Sequence, residues 1–461
     1  MVSFWESKVW SFLFVVAVLL IALLIGNIIK KNVPFMRDSL VPTSVIGGII
    51  LVIVAVIYKA IWGEVMFDTG AFGYNGTDTL EIITYHTLAL GFIASTLKTT
   101  KRKLTKKRST EVFNTGVTTV ATYLLQGIFG LAITIVAALV ISGFFPAAGM
   151  LLPFGYGQGS GQAMNYGSIY EGDFGFTGGT SFGLAIAALG FISASIGGVV
   201  HLNIMKHRGK FKPRGDKERL NAEQIESPDE IPMQESIDKM TIQIALIALV
   251  YTLTYVGMYV LSLLLPGMRA TIFGFNFLIG VIMAILLKLL LNKLHKWNIV
   301  KKEYSNNFLL TRISNFFFDI MVISGIAAIR IETIMNYFWL LIILGAVGLV
   351  ITYIYNRIVA KALFKEYKEE QFLAMYGMLT GTASTGIILL RELDADFETP
   401  AADNLVYQNL PAIVFGFPVL ILANLAPVRP LLVLGIIAVL FVVMNIILFR
   451  SFIFKKRKKK K

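Results

Sequence analysis

Two glycine-rich segments carry most of the polar side chains that could bind a small ion or solute. The first, Leu151–Gly167, reads LLPFGYGQGSGQAMNYG, and the second, Met375–Leu390, reads MYGMLTGTASTGIILL. Each glycine lowers helix propensity by about 1 kcal/mol. Inside a membrane, backbone groups freed by a helix break must be satisfied by protein or by a water-filled cavity. We therefore predict two re-entrant hairpins, at about 146–167 and about 372–391.

The tips of these hairpins offer ligands for a cation and for an anion. Sodium prefers hard oxygen ligands, which broken helices supply; the candidates are Ser160, Asn165, Thr380 and Thr382. Helix N-termini attract anions through free N–H groups and the helix dipole. The candidate substrate ligands are Gly157, Gln158, Gly159, Ser160, Gly161, Gln162, Gly381, Thr382, Ser384 and Thr385. The alternative is that these polar groups only repair the backbone within each hairpin.

Two charged residues outside these segments are further candidates. Asp319 lies in the apolar run FFFDIMVI, where a carboxylate costs about 3 kcal/mol on insertion scales. It could bind sodium, carry a proton, or pair with Arg312 about two turns away. Arg391 follows the second segment and could contact a substrate carboxylate, or it could be a solvated residue balanced by Glu392 and Asp394.

The composition requires a lipid environment. Hydrophobic residues make up 56% of the 461 residues and charged residues 15%, against about 25% charged residues in soluble proteins. Eleven stretches approach the roughly 20 apolar residues that span a bilayer core. They lie near Trp10–Ile29, Pro42–Ile61, Leu80–Leu97, Phe113–Val140, Phe182–Met205, Met240–Leu265, Thr271–Leu291, Phe308–Ile329, Thr333–Tyr355, Leu405–Leu425 and Leu431–Phe454. We therefore predict an all-α polytopic membrane protein.

Basic residues are concentrated in every second connection between these spans. A basic cluster follows every odd-numbered span, whereas the connections 63–79 and 144–181 contain no Lys or Arg. Because cytoplasmic loops carry an excess of Lys and Arg, we expect an external N-terminus and a cytoplasmic C-terminus. The net charge of +14 is then mostly a topology signal, with no nucleic-acid partner implied. The Lys455–Lys461 tail could also contact anionic membrane lipid.

A charged segment divides the chain into two halves. Five spans precede residues 206–239 and six follow, so two similar halves would insert in opposite senses, as in many transporters. We predict a first inverted repeat at 1–205, a cytoplasmic linker at 206–239 and a second repeat at 240–425. Residues 426–461 would form an extra span and a basic tail. Each predicted repeat has its glycine-rich segment between its fourth and fifth spans.

Other function classes lack their motifs. The chain has no cysteine, which excludes disulfides, thiol nucleophiles and thiolate metal sites. No HExxH, GxSG or Walker sequence occurs, so we expect neither an intramembrane protease nor an ATP-driven pump. We expect no enzyme and no cofactor beyond a coupling ion. An ion channel with paired re-entrant loops is a further alternative, although no ring-forming filter motif is evident.

Several motifs have counterparts in one transporter family. They are VPTSVIGG at Val41–Gly48, GQGSG at Gly157–Gly161, GFTGGTSFGLAIAALGFISASIGG at Gly175–Gly198, GTAST at Gly381–Thr385, and the segment Gln408–Asn424. In these motifs the chain resembles the bacterial sodium/glutamate symporter family. It departs from the family pattern at Gln158, where a His is expected, at Ser384, which replaces a proline, and at Leu389, near an expected Asn.

The resemblance implies sodium-coupled symport of glutamate or a similar small anionic amino acid in a bacterial inner membrane. It also implies a homodimer, in which a transport domain carrying both hairpins moves against a static scaffold in an elevator-type movement. A transporter of another small carboxylate or amino acid, coupled to sodium or to protons through Asp319, is the nearest alternative.

Single cysteines can test the predicted orientation, because the chain contains none of its own. Asp173→Cys should react with a membrane-impermeant thiol reagent in intact cells, since residues 168–181, which follow the first predicted hairpin, are predicted to be external. Lys458→Cys should react only after the membrane has been opened. Labelling of position 458 in intact cells would overturn the orientation.

Overall fold

The computed structural model describes residues 4–98, 105–209, 237–266, 269–299, 302–394 and 398–453. The predicted Lys455–Lys461 tail, most of the predicted linker 206–239 and the basic residues 101–103 lie outside these ranges. Within them the chain is helical and contains no β-strand. The prediction of an all-α protein is therefore confirmed for the described residues.

The longer helices before the linker contain both the predicted spans and the first glycine-rich segment. They are α1 (Ser7–Asn32), α2 (Thr43–Trp62), α3 (Gly76–Leu97), α4 (Lys106–Val140), α5 (Leu151–Gln158), α6 (Ser160–Phe174) and α7 (Gly179–His207). A short helix at Pro34–Asp38 and 3-10 turns at Met66–Asp68, Gly70–Phe72 and Pro146–Met150 connect them.

The helices after the linker contain the second glycine-rich segment. They are α8 (Lys239–Leu264), α9 (Asn276–Lys296), α10 (Asn307–Ala327), α11 (Phe338–Leu363), α12 (Lys368–Thr380), α13 (Ala383–Leu390), α14 (Ala401–Tyr407), α15 (Asn409–Leu425) and α16 (Pro430–Leu448). Shorter helices lie at Arg269–Gly274, Ile331–Ile334 and Arg450–Ile453, and a 3-10 turn at Met335–Tyr337.

Local sequence signals explain several of these boundaries. The Thr105 side chain accepts a hydrogen bond from the Arg108 N–H and caps α4, and the Asp238 carboxylate caps α8 in the same way. Such caps satisfy N–H groups that have no intrahelical partner. At the other end of a helix, Gly63 terminates α2 in the left-handed conformation, with φ of 75°, which glycine adopts without strain.

Ten helices of the described residues are long and apolar enough to cross a membrane: α1, α2, α3 with the turn before it, α4, α7, α8, α9, α10, α11 with the turns before it, and α16. They coincide with ten of the eleven predicted spans. The remaining prediction, Leu405–Leu425, falls on α14 and α15, which are bent by 53° relative to each other. The bend makes this pair either a broken span or a re-entrant element.

The described residues form two compact units, and each unit includes segments from both sides of the linker. The first consists of Met1–Ile21, Glu64–Lys103 and Asp216–Gly325, and it contains α3, α8, α9 and most of α10. The second consists of Ala22–Gly63, Leu104–Gly215 and Ile326–Lys461. Both glycine-rich helix pairs, α5 with α6 and α12 with α13, belong to the second unit.

The first unit is a helical bundle with an apolar core. Its buried residues come from α3, α8, α9 and α10: Ile93, Ala94, Leu97, Ile247, Val250, Ala284, Leu287, Leu310 and Ile313. The Lys288 ammonium on α9 donates to the carbonyl oxygens of Thr96 at 3.1 Å and Lys98 at 2.6 Å. Because the last carbonyls of a helix lack intrahelical partners, Lys288 stabilises the end of α3.

The second unit is organised around α4, which has 35 residues. This helix contacts α5, α11, α12, α14, α15 and α16. Gly130 of α4 and Gly149 of the turn before α5 lie very close to each other. A Cβ on either residue would overlap the other residue's carbonyl oxygen, so the absence of a side chain allows this approach. The 3-10 turn therefore packs directly on the α4 backbone.

Gly149→Ala should destabilise the protein through this crossing. The added methyl group meets backbone atoms of Gly130, and overpacking of this kind typically costs about 1–3 kcal/mol. We expect a lower unfolding temperature for the purified protein in detergent. Gly172→Ala is the matched control, because a Cβ at that helical position meets no atom within 4 Å. Equal unfolding temperatures for the two variants would contradict the close crossing.

Candidate functional site

The first glycine-rich segment forms two helices that are interrupted at Gly159. This residue has φ of 81° and ψ of −177°, a backbone conformation that is essentially restricted to glycine. After the break the chain folds back, and the ring of Phe154 on α5 stacks on that of Tyr166 on α6 with centroids 4.1 Å apart. Gln158 to Gln162 therefore form the tip of this helix pair.

The second glycine-rich segment also folds back on itself, at Gly381 and Thr382. The Thr382 side chain caps α13 by accepting a hydrogen bond from the Thr385 N–H. Gly377 on α12 lies so close to Gly386 on α13 that an added Cβ would lie 2.8 Å from the Gly386 Cα. Glycine in both helices allows their backbones to touch, which brings Thr380 to Thr385 into a second compact tip.

The ends of α5 and α12 meet on the same part of α7. A Cβ on Gly190 would lie 2.6 Å from the Thr380 carbonyl oxygen and 3.2 Å from the Tyr156 ring. Helices α5 and α12 also contact each other directly. The Tyr156 hydroxyl donates to the Gly345 carbonyl at 2.6 Å, so α11 joins the same packing. The two tips are therefore neighbours within the second unit.

Two side chains of α4 bind the carbonyls next to the tips. The Tyr123 hydroxyl donates to the Gly157 carbonyl oxygen at 3.0 Å. One turn further along, the Gln126 amide Nε2 donates to the Leu379 carbonyl oxygen at 2.9 Å. Both carbonyls lie in the last turn of a short helix, where intrahelical donors are missing. One face of α4 therefore supports both breaks.

Gln162 occupies an unusual position in the first turn of α6. Its side chain is fully buried, and neither amide atom has a hydrogen-bond partner among the described residues. The first N–H groups of α6 lack intrahelical acceptors, and the helix dipole is positive at this end. The tip therefore presents a buried donor, a buried acceptor and a positive helix end.

The structure brings most of the predicted site residues together in the second unit. Gly157, Gly159, Ser160, Gly161, Gln162, Asn165, Thr380, Gly381 and Thr385 are buried, while Gln158, Thr382 and Ser384 are half-buried. Among the described residues no group of three or more His, Asp or Glu could hold a metal ion. The oxygen atoms that the tips offer are those of hydroxyl, amide and carbonyl groups.

Two predicted residues lie elsewhere. Arg391 is exposed at the far end of α13, about 13 Å along the helix from Thr382 at 1.5 Å per residue. Asp319 lies on α10 in the first unit, and its side chain is exposed. The Arg312 guanidinium lies over the Phe308 ring, 5.2 Å from its centroid. Arg391 therefore lies away from the second tip, and Asp319 belongs to a different unit from both tips.

Sequence reasoning missed the polar groups on the long helices. Thr122 and Gln126 on α4 and Thr352 and Asn356 on α11 are all fully buried. Gln126 bonds to Thr352 at 2.9 Å, and Asn356 bonds to Thr122 at 3.4 Å. The sequence signal that could have identified them is a Gln and an Asn within predicted apolar spans, where burying a polar side chain is energetically unfavourable.

An ion cluster at the start of α12 was missed as well. The Arg357 guanidinium binds both carboxylate oxygens of Glu369, with Nη2 2.9 Å from Oε1. The His201 Nε2 lies 3.0 Å from Glu369 Oε2. Burial raises the pKa of the Glu369 carboxyl, but the hydrogen bond and charge of Arg357 outweigh it and hold this pKa below its usual value. The cluster joins α7 and α11 to the base of the second helix pair.

One known protein family matches most of this chain. The family model described as sodium/glutamate symporter matches residues 11–392, which includes both helix pairs and their tips. Residues 393–461 lie outside the match. No curated protein matches the chain. Because the matched region covers most of the sequence, the chain belongs to the sodium/glutamate symporter family, whose members are membrane transporters.

Proposed function

We propose that this protein is a secondary active transporter that couples sodium entry to the uptake of glutamate or a similar small anionic amino acid. Its membership of the sodium/glutamate symporter family supports sodium as the coupling ion and an amino acid as the substrate. The two neighbouring tips within one compact unit support a single binding site. Binding and release at such a site suit a transporter better than an open channel.

Gln162 is the observation that carries the substrate assignment. A buried amide with both atoms unpaired is unfavourable, since each unsatisfied group costs about 1–3 kcal/mol. An amino acid supplies both missing partners: its carboxylate accepts from the Gln162 NH₂, and its ammonium donates to Oε1. The substrate would thus satisfy a site that is otherwise destabilised.

The remaining tip residues supply the rest of this binding site. A substrate carboxylate at the first turns of α6 and α13 would lie at the positive ends of two helix dipoles. Gly159, Gly161 and Gly381 allow a ligand to approach the backbone closely. Ser160, Asn165, Thr380 and Thr382 stay our candidates for sodium ligands at the tips. Asp319, on the first unit, is kept as a proposed cation or proton site outside the tips.

The membrane arrangement is part of the same proposal. The two helix pairs would be re-entrant hairpins of inverted repeats, the first entering from outside and the second from the cytoplasm. The protein would be a homodimer in a bacterial inner membrane. Both tips belong to the second unit, so an elevator-type movement of that unit would carry the whole site.

Sodium-driven uptake is the first test. Proteoliposomes containing the purified protein should accumulate radiolabelled glutamate when sodium is higher outside than inside. Accumulation should not follow a proton gradient alone. Equal uptake with potassium replacing sodium on both sides would contradict sodium coupling, and rapid equilibration of sodium without substrate would favour a channel.

Gln162→Leu should abolish high-affinity uptake without unfolding the protein. The substitution removes no hydrogen bond to a described residue, but it removes two bonds to the charged groups of the substrate. Such bonds are each worth about 1.5–3 kcal/mol, so the KM for uptake should rise at least about 10-fold. Asp173→Asn is the control, because Asp173 is an exposed residue near the other end of the same helix. A wild-type KM in a folded Gln162→Leu protein would remove Gln162 from the binding site.

A further inference from the structure

We propose that Gln126 and Asn356 form a binding site for a sodium ion between α4 and α11, beside the end of α12. This site is separate from the hydroxyl groups predicted at the tips. The proposal rests on the proposed function, since it assigns the coupling ion of that transport a position. Its test has its own readout, which does not require transport.

The two amides belong to one buried polar cluster. The Gln126 Nε2 donates to Thr352 Oγ1 and to the Leu379 carbonyl oxygen, both at 2.9 Å. The Asn356 Nδ2 donates to the Thr352 carbonyl oxygen at 2.9 Å and lies 3.4 Å from Thr122 Oγ1. Thr352 therefore contacts both amides, and every side chain of the cluster is fully buried.

These contacts fix the direction of each amide. The carbonyl oxygens of Leu379 and Thr352 only accept hydrogen bonds, so each must face an amide NH₂ group. Turning either amide over would place two oxygen acceptors against each other. The oxygens Gln126 Oε1 and Asn356 Oδ1 must consequently point away from these partners, and neither has a hydrogen-bond donor among the described residues.

Two buried amide oxygens without donors suit a cation. Neutral amide, hydroxyl and carbonyl oxygens are hard ligands, and a set without carboxylates suits a singly charged ion better than Ca²⁺ or Mg²⁺, whose sites use carboxylates. Thr122 donates its own hydroxyl to the Thr118 carbonyl at 2.8 Å. Towards the Asn356 Nδ2, 3.4 Å away, the Thr122 Oγ1 is therefore an acceptor, so it supplies no donor to either amide oxygen.

An ion bound in this cluster would be connected to the second tip through the hydrogen bond from Gln126 to the Leu379 carbonyl oxygen. Leu379 lies in the last turn of α12, whose carbonyl end carries the negative pole of the helix dipole. A cation on Gln126 Oε1 polarises the amide and strengthens the bond from its Nε2 to the Leu379 carbonyl. That carbonyl is two residues before Gly381, so ion binding would order the tip that is proposed to hold the substrate.

Sodium-dependent thermal stability of the purified full-length protein tests this site without substrate. Sodium chloride should raise the unfolding temperature relative to choline chloride at the same ionic strength, because a ligand that binds only the folded state stabilises it. Asn356→Leu and Gln126→Leu should each raise the sodium concentration for half of the effect at least tenfold. Wild-type sodium requirements in both folded variants would overturn the proposal, and so would the lack of any sodium effect on the wild type.

Tyr355→Phe is the matched control for these variants. It removes a buried hydrogen bond of the neighbouring residue, from the Tyr355 hydroxyl to Asn445 Oδ1 at 3.0 Å, but leaves the cluster intact. Its sodium requirement should equal that of the wild type, even if its unfolding temperature is lower. A shift as large as that of Asn356→Leu would show that loss of any bond on α11 has the same effect, and would overturn the proposal.

Asn356→Asp keeps the test decisive if the leucine variants do not fold. It preserves the size of the side chain, adds a negative charge and places a carboxylate oxygen near the Thr352 carbonyl, where the Nδ2 of Asn356 donates. A bound cation offsets this repulsion between oxygens, so at pH 8 the variant should lower the sodium concentration for half of the effect at least tenfold. A cluster that holds only water or is merely structural would show no such gain, which would overturn the proposal.

Uptake measurements separate this proposal from the proposed function. Sodium stabilisation that depends on Gln126 and Asn356, without sodium-driven uptake of any amino acid, would refute the transport proposal and support the ion site. Sodium-driven uptake combined with wild-type sodium stabilisation in the folded leucine variants would refute the ion site alone.

Discussion

A helix that breaks in the buried interior frees carbonyl and N–H groups that must find partners within the protein. In the second unit this constraint applies twice, at Gly159 and at Gly381. Tyr123 and Gln126 of α4 each bind a carbonyl in the last turn before a break. A single helix thus stabilises both irregular segments, and the spacing of three residues between its two donors is about one helical turn. The geometry of both tips therefore depends on α4 as well as on the helix pairs themselves.

The tips also require short distances between helix backbones, and glycine residues allow these. Gly130 and Gly149 let the turn before α5 rest on α4, and Gly377 and Gly386 let α13 fold back on α12. Gly190 admits the ends of both α5 and α12 to one part of α7. Larger side chains at these positions would separate the tips from the donors on α4. The low helix propensity of the two segments is therefore accompanied by a packing that only small residues allow.

The helices and the two breaks could be predicted from the sequence, because both signals are local. Runs of apolar residues predicted ten helices that are long and apolar enough to span a membrane. The glycine-rich segments predicted that the chain would not continue there as plain helices, and the structure has breaks at Gly159 and Gly381. The partners of the tips could not be predicted in this way. Gln126 and Leu379 are 253 residues apart in the chain, and Asn356 and Thr122 are 234 apart. Asp319 attracted attention because it is charged, whereas the neutral amides of α4 and α11 resembled ordinary helix residues.

The neutrality of the polar groups around the tips affects how the binding of the ion is coupled to the binding of the substrate. An ion held by amide and hydroxyl oxygens keeps its full charge in the protein interior, since no carboxylate cancels it. In a medium of low dielectric constant that charge is unfavourable unless an opposite charge lies nearby. A substrate carboxylate at the neighbouring tip would provide it, and the same attraction would favour the substrate when the ion is bound. Each ligand would then raise the affinity for the other by the same factor. In this arrangement the protein needs no charged side chain at the tips to make the two ligands bind together.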